Sequence, residues 1–115
     1  MEDCVLCNLL NRYYCKEEKM RVVYETDHIL AFHATKPFAE VHVMIMSKKH
    51  ISNLFELNDS DSALVRDVLE AIKIASEEVF ALKGACKLEM YTGKFPTFTA
   101  VPHFHCHVIY DSSVD

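Results

Sequence analysis

The sequence predicts an α+β domain in which an antiparallel sheet packs against one long helix, with a short helix at the N-terminus. Segments in which apolar and polar residues alternate lie on both sides of one long segment with helical periodicity. Only two glycines and three prolines occur among 115 residues, which leaves little room for a flexible linker. Half of the residues are hydrophobic, so we expect a single domain spanning residues 1–115 that folds around its own core.

The first half of the chain is expected to contain a short helix and three strands. Residues 4–10 are predicted to form a helical turn. Residues 21–25 and 29–33 are rich in strand formers, and the turn residues 26–28 between them predict a hairpin. Residues 40–46 alternate cleanly and predict a third strand. One face of that strand contains Val41, Val43 and Ile45, and the other contains His42, Met44 and Met46.

A long helix is predicted over residues 59–82. Asn58, Asp59 and Ser60 offer oxygens for its N-terminal cap, and Gly84 is expected to end it in a left-handed conformation. Apolar residues at helical spacing form one stripe, interpreted as core packing and not as a cofactor site. The stripe consists of Leu64, Val65, Val68, Leu69, Ile72, Ala75, Val79 and Phe80.

The closing segment contains the strongest functional signal. Residues 85–91 are predicted to form a strand, residues 92–99 a loop, and residues 102–110 a final strand. In that strand His103, His105 and His107 alternate with Phe104, Cys106 and Val108, so the three imidazoles are expected on one face and the other three side chains in the core. Neutral imidazole acts as a nucleophile, a general base or a metal ligand near pH 7, so three on one face predict a functional site.

The cysteines predict free thiols, two of which could bind a metal. Five is an odd number, which argues against a fully paired disulfide framework. Cys4 and Cys7 form a CxxC pair that fits a zinc site or a redox pair, although no strand precedes it as in a thioredoxin-like unit. His50 and His103 are candidates for two further ligands. Cys86 and Cys106 lie in apolar patterns and are expected to be buried, reduced thiols.

Charge and hydropathy exclude some classes of partner. The formal net charge is −5 without a basic run, so binding to a nucleic-acid backbone is not expected. No apolar run approaches the roughly 20 residues of a membrane span, and Met1-Glu2-Asp3 lacks the basic start of a leader peptide. We therefore expect a cytoplasmic protein with no membrane partner.

Three motifs, taken in order, resemble the histidine triad (HIT) family. They are the CxxC pair, the block from Val41 to His50, and the closing His-x-His-x-His motif at residues 103–107. The middle block resembles the family pattern Gly-His-x-x-Val-Ile-Pro-Lys-x-His, with Val41 in place of glycine and Ser47 in place of proline. The resemblance extends from Cys4 to Ile109, nearly the whole chain.

The resemblance implies an enzyme that hydrolyses or transfers nucleoside monophosphates from phosphoramidate or phosphoanhydride donors, with a purine nucleotide or nucleotidyl substrate. His105 would be the nucleophile and would form a covalent nucleotidyl-imidazole. His107 and His42 would contact the phosphate or steady the nucleophile, and His103 would be structural. Family members commonly form homodimers through the long helix and a sheet edge.

The resemblance also implies further binding residues. In zinc-bearing members, the counterparts of Cys4, Cys7, His50 and His103 hold a structural zinc ion in a closed four-ligand site. Ile29 and Phe32 resemble positions that sandwich the nucleobase, with buried packing as the alternative interpretation. A hydroxyl for nucleotide binding could come from Thr99, or from its neighbour Thr97.

The chain departs from the family pattern at two places. Typical members have Gly-Gln-Ser before the triad, whereas residues 98–102 read Phe-Thr-Ala-Val-Pro, with Ala100 at the serine position. The ribose-binding carboxylate is missing from residues 32–35. These departures give the alternative of a nucleotide or phosphometabolite binding module with little turnover. A third hypothesis is a metal enzyme in which the triad itself binds the metal, with Asp111 as a nearby acidic residue.

Overall fold

A computed structural model describes residues 4–112, and its architecture is the predicted α+β fold. Five antiparallel strands form one sheet, in the spatial order Val22–Glu25, Ile29–His33, Val41–Ser47, His105–Tyr110 and Lys87–Glu89. Two short 3₁₀ turns, Leu54–Glu56 and Asp59–Asp61, connect the sheet to the long helix. The helices and strands are α1 (Val5–Tyr14), β1 (Val22–Glu25), β2 (Ile29–His33), β3 (Val41–Ser47), α2 (Ser62–Lys83), β4 (Lys87–Glu89) and β5 (His105–Tyr110).

Within the described residues, neither helix is long and apolar enough to cross a membrane. The segment Met1-Glu2-Asp3, on which the expectation of no leader peptide rested, lies outside the described residues.

Two hydrophobic clusters lie on the two faces of the sheet. On one face α2 packs against the apolar side of β3 and β5, where Cys106 and Val108 are fully buried, as predicted, together with Val43 and Ile45. On the opposite face α1 packs against a second cluster formed by Leu30, Phe32 and Met46 together with Cys4, Leu6, Leu9 and Leu10. His42 lies on this second face, and it is not among the residues of the cluster that packs against α1.

Helix α2 begins and ends with the predicted capping residues. The side chain of Asn58 accepts a hydrogen bond from the Ser60 N–H, and Asp61 bonds back to the Asn58 backbone in a reciprocal capping box. The 3₁₀ turn takes up residues 59–61, so the α-helix starts at Ser62, later than predicted. At the other end Gly84 adopts the left-handed conformation with φ of 76° and donates its N–H to the Phe80 carbonyl.

The apolar stripe on α2 is wider than the surface that the sheet covers. Leu64, Val68, Ala75 and Val79 are buried as predicted, and Ala71, which was not in the predicted stripe, is buried with them. Three stripe residues were wrongly assigned to the core: Val65, Leu69 and Phe80 are 37%, 62% and 59% exposed. They lie on the flank of the helix, about 100° of rotation away from the core residues, where no strand reaches them.

Two predictions for the closing strands are wrong in their extent. Strand β4 covers only Lys87–Glu89, and Cys86 lies before it as an exposed thiol, so the predicted burial of Cys86 is also wrong. Strand β5 begins at His105 and not at residue 102. Pro102 has no N–H to donate, and the His103 N–H bonds back to the Val101 carbonyl in a turn. His103 therefore lies ahead of the strand and does not share its regular alternation.

Candidate functional site

The pairing of β3 with β5 brings three buried imidazoles together. His107 lies opposite Met44 and His105 lies opposite Met46, so both histidines share the His42 face of the sheet. The Nε2 atom of His42 lies 2.8 Å from Nδ1 of His107, and the rings of His105 and His107 are 5.0 Å apart. The three side chains are only 4–7% exposed.

Hydrogen bonds assign the proton positions on these rings. Nδ1 of His105 lies 2.5 Å from the carbonyl oxygen of His103, which can only accept, so this nitrogen carries the proton and Nε2 keeps a free lone pair. The backbone N–H of Phe38 donates to Nδ1 of His42 at 3.3 Å, which places the His42 proton on Nε2. His42 then donates to Nδ1 of His107, so the proton of neutral His107 is on its Nε2.

The electrostatic environment keeps two of these rings neutral. Burial lowers the pKa of His42, and burial together with the neighbouring His105 and His42 imidazoles lowers the pKa of His107 to about 4. In its neutral form, His105 presents a free Nε2 lone pair beside the Nε2–H donor of His107. That combination can attack an electrophilic centre and stabilise a departing group.

The lowered pKa of His107 predicts a loss of stability in acid. Unfolded His107 titrates near 6.5 and the folded residue near 4, so the unfolded state binds more protons between these values and the free energy of unfolding falls as the pH decreases. From pH 7 to pH 5 we expect His107 to contribute a loss of about 2 kcal/mol. Urea unfolding of the wild type and His107→Asn, both with a chelator present, measures this loss as a difference. An equal pH dependence of the two proteins would contradict the assignment.

A second cluster consists of the four predicted metal ligands. Cys4 caps the start of α1, Cys7 lies in its first turn, His50 follows β3 and His103 precedes β5. One ligand atom from each residue lies within 4.8 Å of all the others. Nδ1 of His103 is 3.2 Å from Sγ of Cys4 and 3.5 Å from Sγ of Cys7, while Nδ1 of His50 is 3.2 Å from Sγ of Cys7.

The chemistry of this cluster fits a zinc ion. Zinc bonds of roughly 2.0–2.3 Å to nitrogen and sulfur imply about 3.5 Å between neighbouring ligands of a tetrahedron, close to these separations. Nε2 of His103 lies 2.6 Å from the Ser47 carbonyl and must donate to it, which leaves the lone pair of Nδ1 directed at the thiols. The set of two thiols and two imidazoles would close the coordination sphere, so the ion would be structural.

The residues predicted to contact the nucleotide lie in three different parts of the structure. Ile29 packs in the α2-side cluster and Phe32 in the α1-side cluster, and neither side chain is exposed. Positions three apart on a strand lie on opposite faces, and core packing occupies both faces here, which favours the alternative interpretation of buried packing. The contact of these two residues with a nucleobase stays a prediction. Thr99 lies exposed in the loop before β5, where it forms a β-bridge with Lys94.

Two aromatic residues at the site were not found from the sequence. The ring of Phe38 lies 4.2 Å from that of His42 and 5.1 Å from that of His107. The ring of Tyr91 lies 5.8 Å from that of His107 on the β4 side. Phe38 follows Pro37 between the second and third predicted strands, and Tyr91 ends the strand predicted over residues 85–91, so no local pattern pointed to either.

Known proteins share this fold over the whole described chain. The family profile DcpS_C, "Scavenger mRNA decapping enzyme C-term binding", matches residues 4–115. An uncharacterized HIT-like protein of Synechococcus elongatus is 32% identical over 109 residues, which cover 94% of this chain and 90% of that protein. A HIT family hydrolase of Clostridium thermocellum superposes with a TM-score of 0.78 and 27% identity, covering 100% of this chain and 96% of that one. The Arabidopsis thaliana bifunctional adenosine 5′-phosphosulfate phosphorylase/adenylylsulfatase HINT4 is 24% identical over 108 residues, 92% of this chain and 68% of that protein.

This chain therefore has a fold that is shared with hydrolases and transferases, and its sheet carries a group of buried imidazoles. Some of its relatives are named for nucleotide substrates. The chain belongs to the histidine triad (HIT) family.

Proposed function

We propose that this protein is a hydrolase or transferase that acts on nucleoside phosphoramidates or related nucleotidyl donors through a covalent nucleotidyl-histidine at His105. The observation that supports it best is the pairing of a free Nε2 lone pair on His105 with a protonated Nε2 on His107. The name of one relative, an adenosine 5′-phosphosulfate phosphorylase/adenylylsulfatase, supports a nucleotidyl donor as the substrate class.

In the first step, the lone pair of His105 Nε2 forms a bond to the α-phosphorus of the donor. The bond from phosphorus to the leaving nitrogen or oxygen breaks with its electron pair, and the leaving atom takes a proton from solvent water. The Nε2–H of neutral His107 stabilises the leaving atom by donating a hydrogen bond to it and keeps its own proton. His42 supports this donor because its own Nε2–H is bonded to Nδ1 of His107.

In the second step, water attacks the phosphorus and gives one proton to solvent, which balances the proton taken up in the first step. The Nε2–P bond breaks with its electron pair returning to His105, and the nucleoside monophosphate leaves. A different acceptor in place of water would give group transfer through the same adduct. Thr99 lies in the segment before the triad and is proposed to contact the nucleotide, together with His105 and His107. Zinc, when bound by the Cys2His2 cluster, would stabilise the fold and take no part in these steps.

The alternative is a nucleotide or phosphometabolite binding module with little turnover. Ala100 favours it, because this residue offers no hydroxyl to the leaving group and its backbone N–H is already bonded to the Gly93 carbonyl. Saturable binding of AMP by calorimetry, without product formation, would support the binding module.

The proposal is tested by incubating the protein with adenosine 5′-phosphoramidate. AMP release is followed by chromatography, and the mass of the intact protein is measured during the first turnover. Release accompanied by a transient AMP adduct supports the enzyme, whereas binding without release supports the alternative.

We further propose that the chain forms a homodimer through the flank of α2 and the β4 edge. Leu69 and Phe80 are exposed on that flank, and β4 is a short edge strand with Leu88 half exposed. Leu69→Glu is expected to weaken self-association at least roughly 10-fold, because a charge would be buried among apolar side chains. Light scattering across a concentration series measures this, with Phe55→Glu as the control on another surface. A wild type that stays monomeric at high concentration would contradict the dimer.

A further inference from the structure

The segment between β4 and β5 forms a small hairpin with two stacked aromatic rings at its tip. Phe95 donates its N–H to the Phe98 carbonyl at 2.8 Å, and the Ala100 N–H bonds to the Gly93 carbonyl at 2.9 Å. Gly93 has φ of 96°, a conformation that favours glycine and turns the chain here. The rings of Phe95 and Phe98 are parallel within 10° and 4.7 Å apart.

These stacked rings are connected to the imidazoles through Tyr91. The Tyr91 ring meets Phe95 and Phe98 edge to face, at 6.0 and 5.4 Å, and lies 5.8 Å from the His107 ring. Its hydroxyl donates to the Glu89 carboxylate, which fixes the orientation of the ring. Together the rings form a continuous aromatic surface that extends from His107 to the tip of the hairpin.

Core packing does not account for the two phenylalanines. Phe95 and Phe98 are 38% and 45% exposed, and neither belongs to the two buried clusters found among residues 4–112. Exposing a flat apolar ring to water is unfavourable, whereas stacking a second planar ring on it is favourable. A rigid, exposed and flat surface beside a reactive group therefore suits a planar ligand group better than a flexible alkyl chain.

We propose that Tyr91, Phe95 and Phe98 bind a planar aromatic ring on the leaving-group side of the nucleotidyl donor, so that phosphoramidates of amines that carry an aromatic ring, such as benzylamine, are preferred substrates. This inference rests on the proposed function. His107 donates the hydrogen bond to the leaving nitrogen, and Tyr91 is the aromatic neighbour of His107 on the β4 side. A group attached to that nitrogen therefore extends over Tyr91 toward the stacked rings.

The test compares the N-benzyl and N-cyclohexylmethyl phosphoramidates of adenosine, which differ in planarity and little in size. The first-turnover rate of amine release is measured for the wild type, for Phe95→Leu/Phe98→Leu, and for Phe55→Leu as a control on another surface. Leucine keeps the apolar character and removes the flat ring. We expect a wild-type preference for the benzyl compound that falls roughly 3- to 10-fold in the double variant and is unchanged in the control. Circular dichroism and the thermal midpoint check that the double variant is folded.

Other outcomes overturn the inference in distinguishable ways. An unchanged benzyl preference in the double variant, with the AMP adduct still formed, refutes the aromatic surface and leaves the proposed function standing. If the double variant releases both amines more slowly by the same factor, the two rings stabilise the site as a whole and do not recognise a planar group. The planar ring that binds the hairpin could also be the adenine of the substrate, which the same two amines attached to ribose 5′-phosphate test. If the rate falls in the double variant only when adenine is present, the nucleobase and not the amine binds the hairpin. No adduct in the wild type would overturn the proposed function, and this inference with it.

Discussion

His105→Ala is expected to abolish the covalent nucleotidyl adduct and to lower kcat/KM for adenosine 5′-phosphoramidate by at least roughly 10³-fold. His105 is the one imidazole of the site whose Nε2 lone pair is left free by its hydrogen bonds, because the His103 carbonyl holds the proton on Nδ1. In His42, Nδ1 accepts from the Phe38 N–H and Nε2 donates to His107. In His107, Nδ1 accepts from His42 and Nε2 carries the proton. Neither can replace the nucleophile without breaking this arrangement.

The adduct is measured by intact-protein mass in the first turnover, and AMP release is measured in the same samples. His28→Ala is the matched control, since His28 is bonded to Asp67 and lies outside the buried imidazole group. The control should keep its activity and its adduct. An AMP adduct that persists in His105→Ala would refute the assignment of the nucleophile.

Local periodicity was enough to predict the faces of the central strands. The alternation in residues 40–46 predicted Val43 and Ile45 on one face and His42 on the other, and the structure confirms this separation, with the face of Val43 and Ile45 in the core. The same period wrongly grouped His103 with His105 and His107, because it extended the strand across Pro102, which cannot take part in a regular ladder. The turn at that proline moves His103 to the Cys4 and Cys7 thiols.

Contacts between distant segments could not be predicted from local patterns. Phe38 reaches the imidazoles only because the β2–β3 connection folds over β5, and the Phe95–Phe98 stack depends on how a hairpin turns at Gly93. The helical period of α2 showed which residues are apolar but not how wide a surface the sheet would cover, so Leu69 was assigned to the core. The ligand cluster joins residues up to 99 positions apart. The CxxC spacing made Cys4 and Cys7 candidates and His50 and His103 were candidates for two further ligands, but only the family resemblance implied that the four form one site.

Replacing both Cys4 and Cys7 with serine is expected to remove bound zinc and to destabilise the fold strongly. An ion that binds only the folded state stabilises it by about 4 kcal/mol when its free concentration is 1,000 times the dissociation constant. The cluster ties the start of α1 to the segments after β3 and before β5, so its loss releases contacts between segments that are remote in sequence. Zinc per chain is measured by elemental analysis and the thermal midpoint by calorimetry, with Cys15→Ser as the control because Cys15 is exposed and outside the cluster.

The same substitution separates the two remaining hypotheses about metal. If zinc content follows Cys4 and Cys7, the ion is structural, whereas metal that follows His105 and His107 and ignores the cysteines would support a metal enzyme. A structural ion would still affect turnover, because His103 is both a ligand of the cluster and the source of the carbonyl that holds the proton on Nδ1 of His105. We therefore expect zinc removal to lower kcat more than it raises KM, since it would loosen the orientation of the nucleophile while leaving the other nucleotide contacts in place.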